Sequence, residues 1–173
     1  MKISRIWAMP DRHPFSIPPI RALAKKYVRG RSIDPFANTC RLAKITNDID
    51  PEYDTDFHMD ALDFLKSFPD ASVDTVLYDP PYSPRQVSES YRALGLSVNM
   101  QTTQASYWTS QKREIARICR PSGTVITCSW NSGGIGVKYG FEIVEILLVP
   151  HGGWHNDTIV VVERRNPSLL EFC

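Results

Sequence analysis

No stretch of about 18 apolar residues occurs in the chain, which excludes a membrane-spanning helix. The first residues, Met1-Lys2-Ile3-Ser4-Arg5-Ile6-Trp7, also lack the apolar core of a secretory signal. Cysteine is sparse, and Cys40, Cys119, Cys128 and Cys173 show no CxxC spacing. That argues against a zinc site, leaves no metal expected, and suits reduced thiols in a cytoplasmic protein. Internal repeats and low-complexity tracts are absent. With 42% hydrophobic and 23% charged residues, wholesale disorder is excluded too. The 173 residues read as a single domain, 1–173.

What is present is a charge distribution that cancels. Residues 1–44 hold ten Lys/Arg and two Asp/Glu, a net of +8. Residues 45–82 hold one and ten, a net of −9, and residues 83–173 hold nine and seven, leaving the chain at +1. Such asymmetry fits either solvated faces or a polyanion partner beside an acidic site.

Residues 1–18 read as an irregular, Pro-rich arm. Pro19 then starts a helix in which Ile20, Leu23, Ala24 and Tyr27 recur at helical spacing, ending at Gly30. Residues 31–34 and 44–48 are strand candidates, with a short helix expected over 39–43. A helix is expected over 60–68 and a doubly buried strand over 73–78. Residues 83–105 show no clear period and read as a long loop. A helix over 106–119 and a strand over 123–129 follow. Strands at 141–149 and 158–163 form an antiparallel hairpin. The alternation predicts an α/β fold with a mostly parallel sheet and ligands at the carboxyl ends of its strands. Those ends fall at Asp34, Asp48, Asp79 and Trp130.

The strand over 73–78 runs straight into Asp79-Pro80-Pro81-Tyr82. Two prolines cannot continue a central strand, so the chain breaks there. Asp79 offers a carboxylate acceptor, Pro80 a carbonyl without an N–H, and Tyr82 a flat ring. The prolines stiffen the loop, so little ordering entropy is lost on binding. Two acceptors beside a ring suit a planar ligand with an exocyclic amino group, such as a nucleobase.

This tetrapeptide resembles motif IV of the S-adenosylmethionine-dependent amino-methyltransferases, in the DPPY form of the DNA adenine-N6 enzymes. The rest of the chain is similar in order over about residues 10–165. Residues 13–20 resemble motif X, 34–39 motif I, 47–53 motif II and 58–65 motif III, in the γ arrangement and most like small phage-encoded members. The resemblance implies a Rossmann-like class I methyltransferase that transfers methyl from S-adenosylmethionine to adenine N6 in DNA. It implies catalytic roles for Asp79, Pro80, Pro81 and Tyr82. For the cofactor it implies Phe15 and Ile17 around the methionine portion and Asp34, Phe36, Ala37 and Asn38 at the turn. It further implies Asp48 and Ile49 at the ribose, and Asp60 and Ala61 at the adenine. Tyr82, Arg85, Tyr91, Arg92 and Trp130 are the substrate-contact candidates. For Phe15 and Ile17 core packing is the competing role, and for Asp48 and Asp60 it is helix capping.

Two departures from the family pattern matter. The motif I turn is Ala37-Asn38-Thr39, without glycine, although Asn tolerates the left-handed conformation the turn needs. Only about ten residues follow the last strand, too few for a recognition domain. Target recognition is therefore expected from residues 83–105, from a homo-oligomer or from a partner subunit. Rival readings are a cytosine-N4 or RNA methyltransferase, and a catalytically weak DNA-binding subunit.

Overall fold

The computed structural model describes residues 1–97 and 106–172. Among the described residues seven strands form one sheet in the order β1-β6-β7-β5-β4-β2-β3. They are β1 Lys2–Arg5, β2 Ser32–Asp34, β3 Ile45–Thr46, β4 Val73–Tyr78, β5 Cys119–Ser129, β6 Phe141–Val149 and β7 Thr158–Arg165. All pairings are parallel except those of β7, which runs antiparallel to both β5 and β6. Among the described residues there are four α-helices: α1 Pro18–Tyr27, α2 Ala61–Lys66, α3 Pro84–Ala93 and α4 Ser106–Ile118. None is long and apolar enough to cross a membrane.

Side chains alternate across the pleat, so successive residues of β4 serve opposite faces. Leu77 packs with Ile20, Leu23, Ala24 and Tyr27 of α1 and with Ile126, Leu147, Val160 and Val162. Val76 and Tyr78 pack on the other face with Phe64 and Leu65 of α2, Ile115 and Ile118 of α4, and Val125. Cover on both faces explains why β4 reads as a continuous apolar run. Cys40, Cys119 and Cys128 are buried free thiols, and Cys173 lies outside the described residues.

The expected arm is not wholly irregular. Lys2–Arg5 pair in parallel with Glu145–Leu148 at the edge of the sheet. The buried Glu145 carboxylate anchors this edge, accepting from Lys26 Nζ at 2.5 Å and Tyr27 OH at 2.7 Å, with Lys2 Nζ at 3.3 Å. Burial alone would raise its pKa, but these donors hold it down to about 2. Four residues of mixed polarity carry too weak a pattern to mark such a strand in advance.

Two further expectations fail for physical reasons. Residues 39–43 form irregular backbone with bends rather than a helix, because Asn38 is left-handed at φ +40 and Arg41 donates to the Asn38 and Cys40 carbonyls. In the expected loop, Pro84–Ala93 is a helix, while residues 98–105 lie outside the described residues. Ser83 Oγ accepts from Gln86 N at 3.3 Å, Pro84 occupies the first turn, and Val87 and Tyr91 bury one side. A Ser-Pro helix start after two prolines reads as more turn unless the capping hydroxyl is noticed.

From β2 the chain steps outward to β3, then returns to the far side of β2 to lay down β4. The connections diverge between β2 and β4, which leaves a crevice above their carboxyl ends. Asp34 and Asp79 stand at those ends.

Candidate active site

A cleft of about 710 Å³ opens at this position, a size typical of small-molecule sites. Its floor is the turn after β2. Asp34 is fully buried, and its Oδ1 accepts from Phe36 N at 3.0 Å, bending the chain away from the strand. Asn38 takes the left-handed residue of this turn, and its side chain closes it by donating to the Phe36 carbonyl at 3.2 Å and accepting from Thr39 N at 2.6 Å. A left-handed residue is costly for most side chains, and Asn is among the exceptions.

Asp48 clamps the turn from β3. Its Oδ2 accepts from Asn38 N at 2.9 Å and its Oδ1 from Asp50 N at 3.0 Å. Burial raises the Asp48 pKa, partly offset by these two backbone donors. Each carboxylate oxygen retains capacity for another donor. Asn47, which the sequence analysis did not single out, ties the turn to the next segment. Its buried amide donates to the Pro35 and Met59 carbonyls and accepts from Met59 N at 2.9 Å.

Asp60 caps α2, accepting from Leu62 N at 2.8 Å. Its other oxygen accepts from the Tyr91 hydroxyl, which reaches down from α3. Burial, then the bond to Asp60, pushes the Tyr91 pKa upward. Tyr91 thus sits on the Asp60 side of the cleft.

Asp79 leaves β4 half-buried, and Tyr82 OH donates to its Oδ1 at 2.5 Å. Burial raises its pKa to about 7 against the lowering effect of Tyr82. The loop is held from two sides. Gln86 Oε1 accepts from Tyr82 N at 2.6 Å, and Trp108 Nε1 donates to the Pro81 carbonyl at 2.8 Å. Among the described residues the Pro80 carbonyl accepts no hydrogen bond. The Tyr82 and Trp130 rings meet edge to face, with centroids 5.4 Å apart.

Phe36, Asn38, Asp48, Ile49, Asp60, Ala61, Asp79, Pro80, Pro81, Tyr82, Tyr91 and Trp130 therefore line one cleft. Other candidates lie elsewhere. Phe15 and Ile17 are buried in the α1 core cluster, while Asp34 and Ala37 are fully buried beneath the floor. Arg85 points to solvent and pairs with Glu89 at 2.7 Å, and Arg92 is exposed outside the lining. Sequence reasoning did not assign Arg12 and His13 to the site, and it read Trp154 and His155 as a surface contact rather than as part of a cleft, yet all four line it. The N-terminal arm brings the first pair and the β6–β7 connection the second.

No family model matches the sequence, and no curated protein is found similar to it. Solved structures do resemble it. TrmN from Thermus thermophilus superposes with a TM-score of 0.55 at 19% identity, over 86% of this chain and 49% of that one. The chain thus spans about half the length of TrmN. HI0767 from Haemophilus influenzae, described as a methylase, gives 0.52 at 12% identity over 91% and 92% of the two chains. The 1,6-didemethyltoxoflavin-N1-methyltransferase of Burkholderia thailandensis, solved with S-adenosylhomocysteine, gives 0.51 at 12% over 78% and 70%. Strand order, the reversed β7 and these likenesses together show the fold of the chain to be the Rossmann-like fold of methyltransferases.

Proposed function

We propose that the protein is an S-adenosylmethionine-dependent methyltransferase acting on the N6 amino group of adenine in DNA. The observation that carries this reading is Asp79-Pro80-Pro81-Tyr82 at the carboxyl end of β4, facing the same cleft as the Asp48-clamped turn. The donor set fits the cofactor. Asp48 and Asp60 make one side of the cleft acidic, which suits a ligand carrying a positive sulfur and an ammonium group. Beside the turn, Asp34 Oδ2 is buried without a hydrogen-bond partner among the described residues. Asp48 would hold the ribose hydroxyls, Asp60 the adenine amine, and Phe36 and Asn38 the methionine portion. When bound, S-adenosylmethionine supplies an electrophilic methyl group on a positively charged sulfur.

The chain's own part is positioning and electrostatics. Adenine N6 is a poor nucleophile because its lone pair is delocalised into the ring. Asp79 and the Pro80 carbonyl accept its two N–H bonds, which localises the lone pair and aims it. Tyr82 and Trp130 form the aromatic wall for the base, which must leave the duplex to reach them. With a pKa of about 7, Asp79 would also suit the proton that N6 gives up once methyl has passed from sulfur to nitrogen, the methyl–sulfur bond breaking as C–N forms and the sulfur leaving as a neutral thioether. Its bond from Tyr82 holds the carboxylate in place meanwhile.

The test is a modified-base readout of plasmid DNA from cells expressing the protein or its Asp79→Ala variant. N6-methyladenine with the wild type and none with the variant is the expected result. A folded Asp79→Ala protein that retains most of the methylation overturns the mechanism. A wild type that leaves DNA adenine unmodified overturns the substrate.

A further inference from the structure

Trp154 lies at the tip of the β6–β7 connection with a relative exposure of 102%, so it contributes no burial to the fold. Trp108 donates to Pro81 and Trp130 packs on Tyr82, while Trp7 is 60% exposed, so Trp154 is the most exposed of the four. One exposed ring is ordinary on a protein surface, but this one stands on the lining of the cleft that holds Asp79.

The tip is projected by a firm base. His151 is buried, with Nδ1 2.9 Å from the Ala8 carbonyl and Nε2 2.9 Å from Thr158 Oγ1. Gly152 and Gly153 then turn the chain at φ +72 and +60, conformations that glycine adopts without strain. Trp154, His155 and Asn156 reach the rim of the cleft that contains Asp79, and Arg12 lines the same cleft. The chain neighbours of Trp154 are glycines and the polar residues His155, Asn156 and Asp157. A lone flat ring among hydrogen-bonding groups matches a nucleobase, which offers a face to stack on and polar edges.

We infer that Trp154 stacks on a DNA base next to the target adenine, making the β6–β7 tip a nucleic-acid-positioning element of this site. The inference rests on the DNA-methyltransferase reading above and adds to it the residue that holds the opened strand. Stacking of this kind is worth ~1–3 kcal/mol per base, or about 5- to 150-fold in affinity.

The probe is a fluorescein-labelled DNA duplex carrying one adenine opposite an abasic site, titrated by anisotropy without cofactor so that nothing turns over. Trp154→Ala should weaken binding by about 5- to 150-fold, while Trp154→Phe stays within about threefold of wild type. The emission of Trp154, isolated as the difference between wild type and Trp154→Phe, should be quenched by the duplex. A purely structural role would not produce that signature. A Trp154→Ala protein that binds within about twofold of wild type overturns the inference, as does unchanged affinity with altered sedimentation, which makes the tip a contact between copies. If the wild type methylates DNA adenine and Trp154→Ala binds normally, this inference alone fails. If the wild type modifies no DNA adenine, the underlying reading fails with it.

Discussion

Replacing Asp79 by Asn should stabilise the protein while abolishing its chemistry. Burial lifts the Asp79 pKa from 3.8 to about 7. One unit corresponds to about 1.36 kcal/mol, so ionising this group in the folded state costs at most ~4 kcal/mol. Asp79 is half-buried rather than sealed, and solvent screening reduces the expected penalty to ~1–2 kcal/mol. An acid whose folded pKa lies above its unfolded value binds its proton more tightly when folded. The stabilising contribution is therefore complete below about pH 4, declines as pH rises towards 7, and is absent above it. Asn is neutral throughout and its oxygen can still accept from Tyr82. Urea unfolding at a series of pH values should show Asp79→Asn gaining ~1–2 kcal/mol over wild type near pH 8 and gaining nothing near pH 4. Methyl transfer by the same variant should fall by at least about 100-fold. A stability difference that does not vary with pH, or a variant less stable near pH 8, would refute the assignment of Asp79 as a carboxylate destabilised by burial when ionised.

Other expectations follow from the same geometry. Glu145→Gln removes the charge that gathers Lys2, Lys26 and Tyr27 onto β6. Because the Glu145 pKa is depressed to about 2, its stabilisation is full above its ordinary 4.5 and is lost as pH falls towards 2. Denaturant melts should show a loss of ~2 kcal/mol at neutral pH that shrinks on acidification. Asn38→Ala places a Cβ without a local hydrogen bond at φ +40. Thermal denaturation should register a loss of ~1 kcal/mol, and calorimetric titration with S-adenosylmethionine should show weaker binding. Asn38→Gly should keep stability within a few tenths of a kcal/mol. Equal behaviour of the two variants would mean that the left-handed turn is not what Asn38 provides.

The helix at 84–93 shows where local reading fails. Its start, Ser83-Pro84, follows two prolines and reads as more turn, yet Ser83 caps it and Tyr91 fastens it to Asp60. That fastening links residues 31 positions apart, so no local window contains it. Arg85 illustrates the converse. Beside an active loop it suggests a phosphate contact, but at helical spacing it meets Glu89 and turns outward. Phe15 and Ile17 could be assigned either to the cofactor or to the core by residue type alone. The arm's 3-10 turn places them against α1 and the sheet.

The charge division of the chain, +8 against −9, also divides once the fold is known. Lys2 and Lys26 neutralise Glu145, and Arg41 is spent on backbone carbonyls, so three of the ten basic residues of that block serve the fold. Of the acidic block, Asp48, Asp60 and Asp79 converge on one cleft.

By itself the sequence determined the α/β architecture, the terminal hairpin and the Asp79 loop, because period, β-branched runs and proline are local properties. It also specified that Asn38 could replace glycine at the turn, since left-handed tolerance belongs to the residue. Tertiary structure alone decided that β1 joins the sheet edge, that Tyr91 closes on Asp60, and that Trp154 rises over the cleft from a base pinned by His151. Each of these depends on contacts between distant segments, whose geometry exists only after the chain has packed.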